Sequence, residues 1–192
     1  MARTESTMLD LGSPAPEFSL TEVETGENIS LSYFEGKQAL LVMFICRHCP
    51  FVKHIERELA AIGEDYADKS LGIVAISSND ADNYPDDKPE SLLEMKYQLG
   101  FKFPYCHDES QKAAQAYTAA CTPDFFLFDE QRKLAYRGRL DASRPGNDEP
   151  VTGANIRKAI DQLLSGAELS VEQHPSLGCN IKWKPGNEPD YF

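Results

Sequence analysis

The stretch FICRHCPFVKH, residues 44–54, decides how this chain folds. Two cysteines three positions apart, Cys46 and Cys49, stand between an apolar run and a segment with helical periodicity. Pro50 follows directly and suits the first turn of a helix, where a missing backbone N–H costs nothing. The pattern predicts a buried strand that leads through the two cysteines into a helix.

The composition indicates one globular domain. The chain has 192 residues, 41% of them hydrophobic, and we expect one domain over residues 1–192 with a tail at 170–192. Its net charge of −12 repels phosphate backbones and anionic lipid, so neither nucleic acid nor a membrane is an expected partner. The apolar run 39–46 is shorter than the roughly 20 residues that span a bilayer, and the first ten residues lack a secretory pattern. We expect a cytoplasmic protein.

The number of cysteines points to chemistry rather than to a disulfide scaffold. The chain has five, an odd number, and a protein of this size does not need disulfides for stability. In a reducing compartment, paired thiols are more often catalytic or metal-binding than structural. Attention therefore returns to Cys46 and Cys49.

Four segments have strand character, and two have helical periodicity. The strand segments are Leu40–Ile45, Gly72–Ser77, Phe125–Phe128 and Leu134–Arg139. The first three are continuous apolar runs, as expected of strands buried on both faces. The helical segments are Phe51–Ile62 and Ile156–Leu164, each with one apolar face.

Two further helices carry start signals. Asp87 with Glu90, and Asp108 with Gln111, have the spacing of a capping box in which Asp replaces Ser or Thr. Gly100 is expected to end the first of these helices.

The order of these elements predicts a mixed sheet. Residues 17–33 form an N-terminal hairpin of two short strands, and an extra helix with segment 101–105 is inserted after the second core strand. Right-handed crossovers make the strand-helix-strand unit parallel, whereas the hairpin over residues 125–139 is antiparallel.

The motif places a thiol where its anion is stabilised. Cys46 is expected at the start of the helix, where free backbone N–H groups and the helix dipole favour negative charge. Arg47 and His48 add positive charge, and such CxxC thiols have pKa values from about 3.5 to about 7 instead of about 8.5. We therefore expect Cys46 to attack a substrate disulfide and Cys49 to resolve the mixed disulfide. We also expect a more oxidising couple than a CxxC motif with two uncharged residues between its cysteines would have.

Together, several motifs resemble the thioredoxin-like redoxins, the superfamily that includes thiol-disulfide proteins and peroxiredoxins. They are the CxxC at a helix start, Thr122-Pro123 before a strand, and the opening GSPAPEFSL at 12–20. The stretches Asn79–Asp87 and Gly178–Pro189 are similar to a peroxiredoxin-like branch that carries CxxC. The resemblance covers residues 12–189.

This resemblance implies an α/β thioredoxin-like fold, a mixed central sheet flanked by helices. It also implies that Pro123 is cis and faces the CxxC, and that the backbone of Thr122 pairs with an extended substrate segment. The redox-active cysteine pair would need no metal or organic cofactor. Its partners would be protein or small-molecule disulfides and a thiol reductant; the sequence names neither the reductant nor the oligomeric state.

The chain departs from the family in places, and these departures leave a second interpretation open. The strand before the motif has no carboxylate, so proton transfer at Cys49 would use His48, water or Glu56. In a thiol peroxidase, Cys49 would be the peroxidatic cysteine. The family's Pro, Thr and Arg around that sulfur are replaced by Val42, Cys46 and Pro123, so we do not expect an efficient peroxidase.

Two other interpretations remain. Cys46 and Cys49 could bind zinc together with Cys106-His107 or His54, although no second pair has zinc-finger spacing. The chain could also be a redox-inert binding module, since fold does not fix function. Arg47 and His48 argue against such a module, because a passive scaffold has no use for charges that activate a thiol.

Two more cysteines are candidate accessory thiols. Cys121 lies two residues before Pro123 and is either a third redox thiol or, as we favour, a small buried hydrophobe. Cys179 lies in the tail, where it could act as a resolving thiol or form a mixed disulfide.

Overall fold

The computed structural model describes residues 3–170 and 172–191. The strands are β1 (Arg3–Glu5), β2 (Ser19–Glu22), β3 (Asn28–Ser30), β4 (Ala39–Phe44), β5 (Leu71–Ser77), β6 (Tyr105–His107), β7 (Cys121–Thr122), β8 (Asp124–Phe128), β9 (Leu134–Gly138) and β10 (Leu177–Asn180). The α-helices are α1 (Pro50–Asp65), α2 (Pro89–Leu99), α3 (Lys112–Ala116) and α4 (Ala154–Leu164). Single 3-10 turns lie at Leu31–Phe34 and Pro85–Asp87.

A seven-stranded sheet in the order β3-β2-β6-β5-β4-β8-β9 forms the centre of the structure. The central strand β4 is parallel to β5 and antiparallel to β8, and β8 is antiparallel to β9. The predicted mixed sheet is therefore confirmed. The N-terminal hairpin of β2 and β3 is also confirmed, and it joins the sheet through β6.

All six residues of β4 are buried, because the strand has a hydrophobic cluster on each face. Leu41 and Met43 belong to the cluster that also contains α1 and α4 residues such as Leu59 and Ile160. Val42, one position away, packs in the cluster on the opposite face, as the alternation of side chains along a strand requires. The apolar faces predicted for α1 and α4 are thus the faces that cover the sheet.

The two capping predictions were only partly right. Helix α2 begins at Pro89 with Lys88 as its N-cap and ends at Gly100, whose φ of 69° lies in the left-handed region. Asp87 does not cap this helix, because its carboxylate binds the CxxC segment instead. Helix α3 begins at Lys112 rather than near Asp108.

Residues 170–192 contain a strand that was not predicted. β10 lies between β1 and β7 in a three-stranded antiparallel sheet. Its sequence LGCN has no alternation of apolar and polar residues, so periodicity gave no strand signal. Val171 and Phe192, which belong to the predicted tail, lie outside the described residues. Within the described ranges, no helix combines the length and apolar character that crossing a bilayer requires.

A buried ion pair anchors the strand that follows the Thr122-Pro123 peptide. The Asp124 carboxylate accepts hydrogen bonds from the Arg137 guanidinium, and both side chains are fully buried. Arg137 also donates to the Thr7 carbonyl and stacks over the Phe126 ring, with its Cζ atom 3.7 Å from the ring centroid. The pair therefore joins β8, β9 and the N-terminal segment at one point.

Replacing Arg137 with alanine should destabilise the protein by about 3–5 kcal/mol, because it leaves the Asp124 carboxylate buried without its counter-charge. Chemical denaturation measures this free energy of unfolding. Arg57→Ala, at an exposed position of α1, is the matched control and should cost no more than about 0.5 kcal/mol. A cost for Arg137→Ala as small as that of the control would contradict the assigned role.

Candidate active site

The CxxC segment connects the end of β4 to the start of α1. Helix α1 begins at Pro50, and its N-cap is Cys49, with φ −71° and ψ 124°. Cys46 lies three residues earlier and is fully buried. The prediction that Cys46 stands at the free amides of the helix is wrong, because the helix starts later and gives that position to Cys49.

The loop after β7 closes over both sulfurs. The Thr122-Pro123 peptide is cis, as the resemblance implies. Sγ of Cys46 lies 3.2 Å from Oγ1 of Thr122, and Sγ of Cys49 lies 3.1 Å from the Thr122 carbonyl oxygen. A protonated Cys49 donates to that carbonyl, whereas a thiolate cannot. The contact therefore depends on the redox and protonation state of the pair.

A third sulfur completes the site. In the β7–β10 ladder Cys179 stands opposite Thr122, and its Sγ lies 2.7 Å from Sγ of Cys49. Cys179 was predicted as an accessory thiol in the tail, and the structure brings it into the centre of the site. The same pairing fills the backbone edge of Thr122, so the expectation that this edge receives a substrate segment is not met in this conformation.

The pKa values separate the three thiols. The thiol of Cys46, as hydrogen-bond donor, lowers the pKa of Cys49 to about 5 against the opposing effect of burial; the Cys179 thiol and the Val52 backbone N–H act in the same direction. Burial raises the pKa of Cys46 well above its ordinary value, and burial also raises that of Cys179 to about 12. These directions favour a thiolate on Cys49 rather than on Cys46, in contrast to the expectation from the sequence.

The buried carboxylate of Asp87 holds the motif from the other side. It accepts hydrogen bonds from the backbone N–H of Arg47 (2.8 Å) and from Nδ2 of Asn79 (2.8 Å), and its Oδ2 lies 2.5 Å from Nδ1 of His48. Burial alone would raise the pKa of Asp87, but the hydrogen bond and charge of His48 outweigh it and lower the pKa. Asp87 thereby fixes the turn between the two cysteines.

Arg47 and His48, which the sequence predicts to tune the thiolate, each contact an acidic side chain. The Arg47 guanidinium binds the Ser91 carbonyl and the Glu94 carboxylate of α2, and the His48 ring pairs with Asp87 while stacking on Tyr84. The Arg47 guanidinium thus faces a carboxylate, whereas the His48 ring contacts Asp87 and Tyr84 and also has a ring nitrogen within 4.8 Å of Sγ of Cys46.

The remaining candidate residues lie at varying distances from this centre. Cys121 is buried beside the site with its Sγ 3.6 Å from the Pro123 carbonyl, and burial raises its pKa well above the ordinary value. This fits the interpretation of Cys121 as a small buried hydrophobe. His54 contacts Ser143, 2.7 Å from Nε2 to Oγ, and Glu56 lies partly buried on α1.

The predicted zinc set does not assemble. Among residues 3–170 and 172–191, the cluster of metal-ligand atoms within 4.8 Å of one another is Cys46, His48 and Asp87, not a set with Cys106, His107 or His54. His48 and Asp87 already satisfy each other, and Cys46 contacts Thr122.

Sequence reasoning missed the polar network behind the motif. Asn79 donates to Asp87 and accepts the backbone N–H of Lys182 through its Oδ1, 2.8 Å away. Lys182 in turn accepts, through its carbonyl, the N–H of Asp80. The stretches 79–87 and 178–189, which carried the family resemblance, are therefore parts of one contact surface. The presence of both stretches in one chain was the sequence signal from which this contact could have been predicted.

A CxxC pair at a strand-to-helix turn facing a cis-proline loop, in a mixed sheet of this order, defines a thioredoxin-like redoxin. More specifically, the chain belongs to the AhpC/TSA family, whose sequence profile matches residues 11–137.

Relatives of known name span both branches of this superfamily. The thiol-disulfide oxidoreductase ResA of Geobacillus kaustophilus is 30% identical over 134 residues, which cover 68% of this chain and 70% of ResA. A Mycobacterium tuberculosis protein named provisionally as a peroxiredoxin is 26% identical over 116 residues, 60% of this chain and 68% of its own length.

Solved structures agree with the fold. An uncharacterized conserved protein from Geobacillus kaustophilus is 50% identical, with a TM-score of 0.95 over 97% of this chain and 98% of its own. A thiol:disulfide interchange protein from Chlorobium tepidum, 18% identical with a TM-score of 0.62 over 82% of this chain and 99% of its own, shares the fold.

The reduced protein should carry one thiolate that forms as the pH rises through about 5. Replacing Cys46 with alanine removes the hydrogen-bond donor that lowers the pKa of Cys49, so the midpoint should move to higher pH. Ultraviolet thiolate absorbance measures this titration, with Cys49→Ser to remove the signal and Cys106→Ala as the matched control. A wild-type midpoint near the ordinary thiol value of about 8.5 would contradict the assignment.

Proposed function

We propose that this protein is a thiol-disulfide oxidoreductase that uses Cys46 and Cys49 as its redox pair. One observation supports the proposal above the others. Two buried thiols lie in the turn that precedes α1 and face the cis Thr122-Pro123 loop, and their pKa values are displaced in opposite directions. A pair with one thiolate and one retained proton has a nucleophile and a resolving thiol ready in the same place.

The exchange runs in two steps. The Cys49 thiolate attacks one sulfur of a substrate disulfide, a mixed disulfide forms, and the other substrate sulfur leaves as a thiolate that takes up a proton. Cys46 then loses its proton and attacks Sγ of Cys49, which releases the second substrate thiol. The substrate gains two electrons, the protein holds the Cys46–Cys49 disulfide, and an external thiol reductant regenerates the dithiol.

The proton of Cys46 has an acceptor at hand. A ring nitrogen of His48 and a carboxylate oxygen of Asp87 lie within 4.8 Å of its Sγ. Burial raises the pKa of Cys46 most, and the charge of the Asp87 carboxylate acts in the same direction. We assign the His48-Asp87 pair to accept this proton, in place of the buried carboxylate that β4 lacks. Glu56 is not needed for the step.

A substrate needs an opening, because neither Cys46 nor Cys49 is exposed. A cleft of about 220 Å³ lies beside Pro123, between Phe51 of α1 and Arg139, and reaches Leu177 of β10. Phe51 and Pro123 are chain neighbours of the site, so we propose this cleft as the approach for a small disulfide or for a loop of a protein disulfide. We propose both as substrates and place the reaction in the cytoplasm.

A thiol peroxidase is the second candidate, and the low pKa of Cys49 favours it. The thiolate would attack a hydroperoxide, forming a sulfenic acid and releasing water or an alcohol, and a second thiol would then condense with it to a disulfide and water. Two observations argue against an efficient peroxidase. Val42, which replaces the family's proline, is buried in the second hydrophobic cluster, and the guanidinium of Arg47 is paired with Glu94.

Cys49→Ser should abolish reduction of insulin and of a small symmetric disulfide, because it removes the attacking thiolate. Cys46→Ser should slow turnover by roughly a hundredfold or more and lengthen the lifetime of the mixed disulfide on Cys49, since the resolving thiol of the motif is gone. Thiol release followed against time gives both rates, and mass spectrometry detects the trapped species.

Cys106→Ser is the matched control, because Cys106 is equally buried but lies in β6, and its activity should equal that of the wild type. Undiminished disulfide reduction by Cys49→Ser would refute the proposal. Hydrogen peroxide consumption measured on the same samples separates the two candidates: peroxide turnover faster than disulfide reduction, and lost in Cys49→Ser, would favour the peroxidase.

A further inference from the structure

We propose that Cys179 is a third redox-active residue, which takes the disulfide over from the CxxC pair to form a Cys49–Cys179 bond. The proposal rests on the proposed function and extends it, because it gives the exchange an internal partner. It follows from where β10 lies: in the ladder, Cys179 occupies the place opposite Thr122 that the family resemblance assigns to a substrate segment.

The approach of β10 to the site is unusually close. A Cβ atom at Gly178 would overlap the Thr122 carbonyl oxygen and lie 2.6 Å from its carbonyl carbon, where no side chain fits. Glycine at this position therefore lets the strand press against the cis-proline loop. The next residue, Cys179, is thereby held with its Sγ 2.7 Å from that of Cys49.

Both sulfurs share the start of α1. Burial raises the pKa of Cys179, and the Phe51 backbone N–H opposes that effect, as the Val52 backbone N–H does for Cys49. The positive end of the helix thus serves whichever of the two sulfurs carries the charge. Lys182 adds a second stabilising charge near Cys179.

Hydrogen bonds of the two residues that follow β10 hold the strand in place. The Lys182 backbone N–H donates to Asn79, and the Lys182 carbonyl accepts hydrogen bonds from the Asp80 N–H and from Nε2 of Gln111 at 2.9 Å. The Ile181 N–H donates to the Ala120 carbonyl. These bonds hold residues 179–182 in register with the motif, although Cys179 is 130 residues from Cys49 in sequence.

The transfer needs no oxidant beyond the CxxC disulfide itself. The Cys179 thiolate attacks Sγ of Cys49, the Cys49–Cys179 bond forms, and the Cys46–Cys49 bond breaks. Cys46 leaves as a thiolate and takes up the proton that Cys179 has lost. The number of electrons in the protein is unchanged, so the two disulfides are isomers in equilibrium.

Disulfide mapping after oxidation with 2-hydroxyethyl disulfide tests the proposal. The protein is blocked with N-ethylmaleimide and digested with trypsin, which cuts after Arg47 and so separates the two cysteines of the motif. The Cys46–Cys49 bond then links peptides 38–47 and 48–53, whereas the Cys49–Cys179 bond links peptides 48–53 and 159–182. The two bonds have different masses and are measured in one sample.

We expect both linked pairs in the wild type. In Cys46→Ser the 48–53/159–182 pair should be the main product, because Cys179 attacks the mixed disulfide that the reagent leaves on Cys49 and displaces 2-mercaptoethanol. Cys179→Ser should lose that pair and keep the CxxC disulfide. A wild type that forms Cys46–Cys49 while neither it nor Cys46→Ser forms Cys49–Cys179 would overturn the proposal and leave the proposed function standing. Formation of neither bond in the wild type would overturn both.

Gly178→Ala provides a test that keeps every cysteine. The added methyl group should force β10 away from Thr122 and lower the yield of the 48–53/159–182 pair roughly tenfold, with the CxxC disulfide unchanged. Circular dichroism checks that the variant is folded, and Gly186→Ala, where an added Cβ would have no heavy atom within 4 Å, is the matched control. An unchanged yield of Cys49–Cys179 in folded Gly178→Ala would contradict the geometry on which the proposal depends.

Discussion

The carboxylate of Asp87 is the point on which the site depends. It is fully buried, yet it collects backbone and side-chain hydrogen bonds from Arg47, His48 and Asn79. A buried charge is tolerated only when it is paired and hydrogen-bonded, so these partners cannot be rearranged singly without a large cost. Because two of them belong to the CxxC turn and the third reaches Lys182, the motif, the loop after β5 and the tail are held as one unit.

This unit contributes to the difference in pKa between the two motif cysteines, which is the reverse of the difference expected from the sequence. Asp87 fixes the turn between the two cysteines, and α1 begins after this turn, at Pro50. Cys49, not Cys46, therefore lies next to the free backbone N–H groups of the helix. Burial raises the pKa of Cys46 most, and the hydrogen bond with Cys49 and the charge of Asp87 act in the same direction. The buried acid therefore contributes to the difference in pKa between the two sulfurs, and exchange chemistry needs one ionised and one protonated thiol.

Much of the fold could be predicted from the sequence, because buried strands and amphipathic helices each have a recognisable pattern of apolar residues. The runs that became β4, β5 and β8 and the faces of α1 and α4 are of this kind, and the CxxC and Thr122-Pro123 stretches were rightly placed together. The failures share one cause: contacts between residues far apart in sequence override local signals. Asp87 has the spacing of a helix cap but bonds to the motif, and LGCN has no strand period yet becomes β10 through pairing with β1 and β7.

The position of β10 has a consequence for how the protein is made. The strand that covers the sulfurs comes from a region more than a hundred residues beyond the motif, and pairings of such long sequence separation form late. During synthesis, the sheet and α1 can assemble before residues 177–180 leave the ribosome. In that interval neither β10 nor Cys179 lies against Cys49, so this sulfur meets solvent before its partner strand arrives.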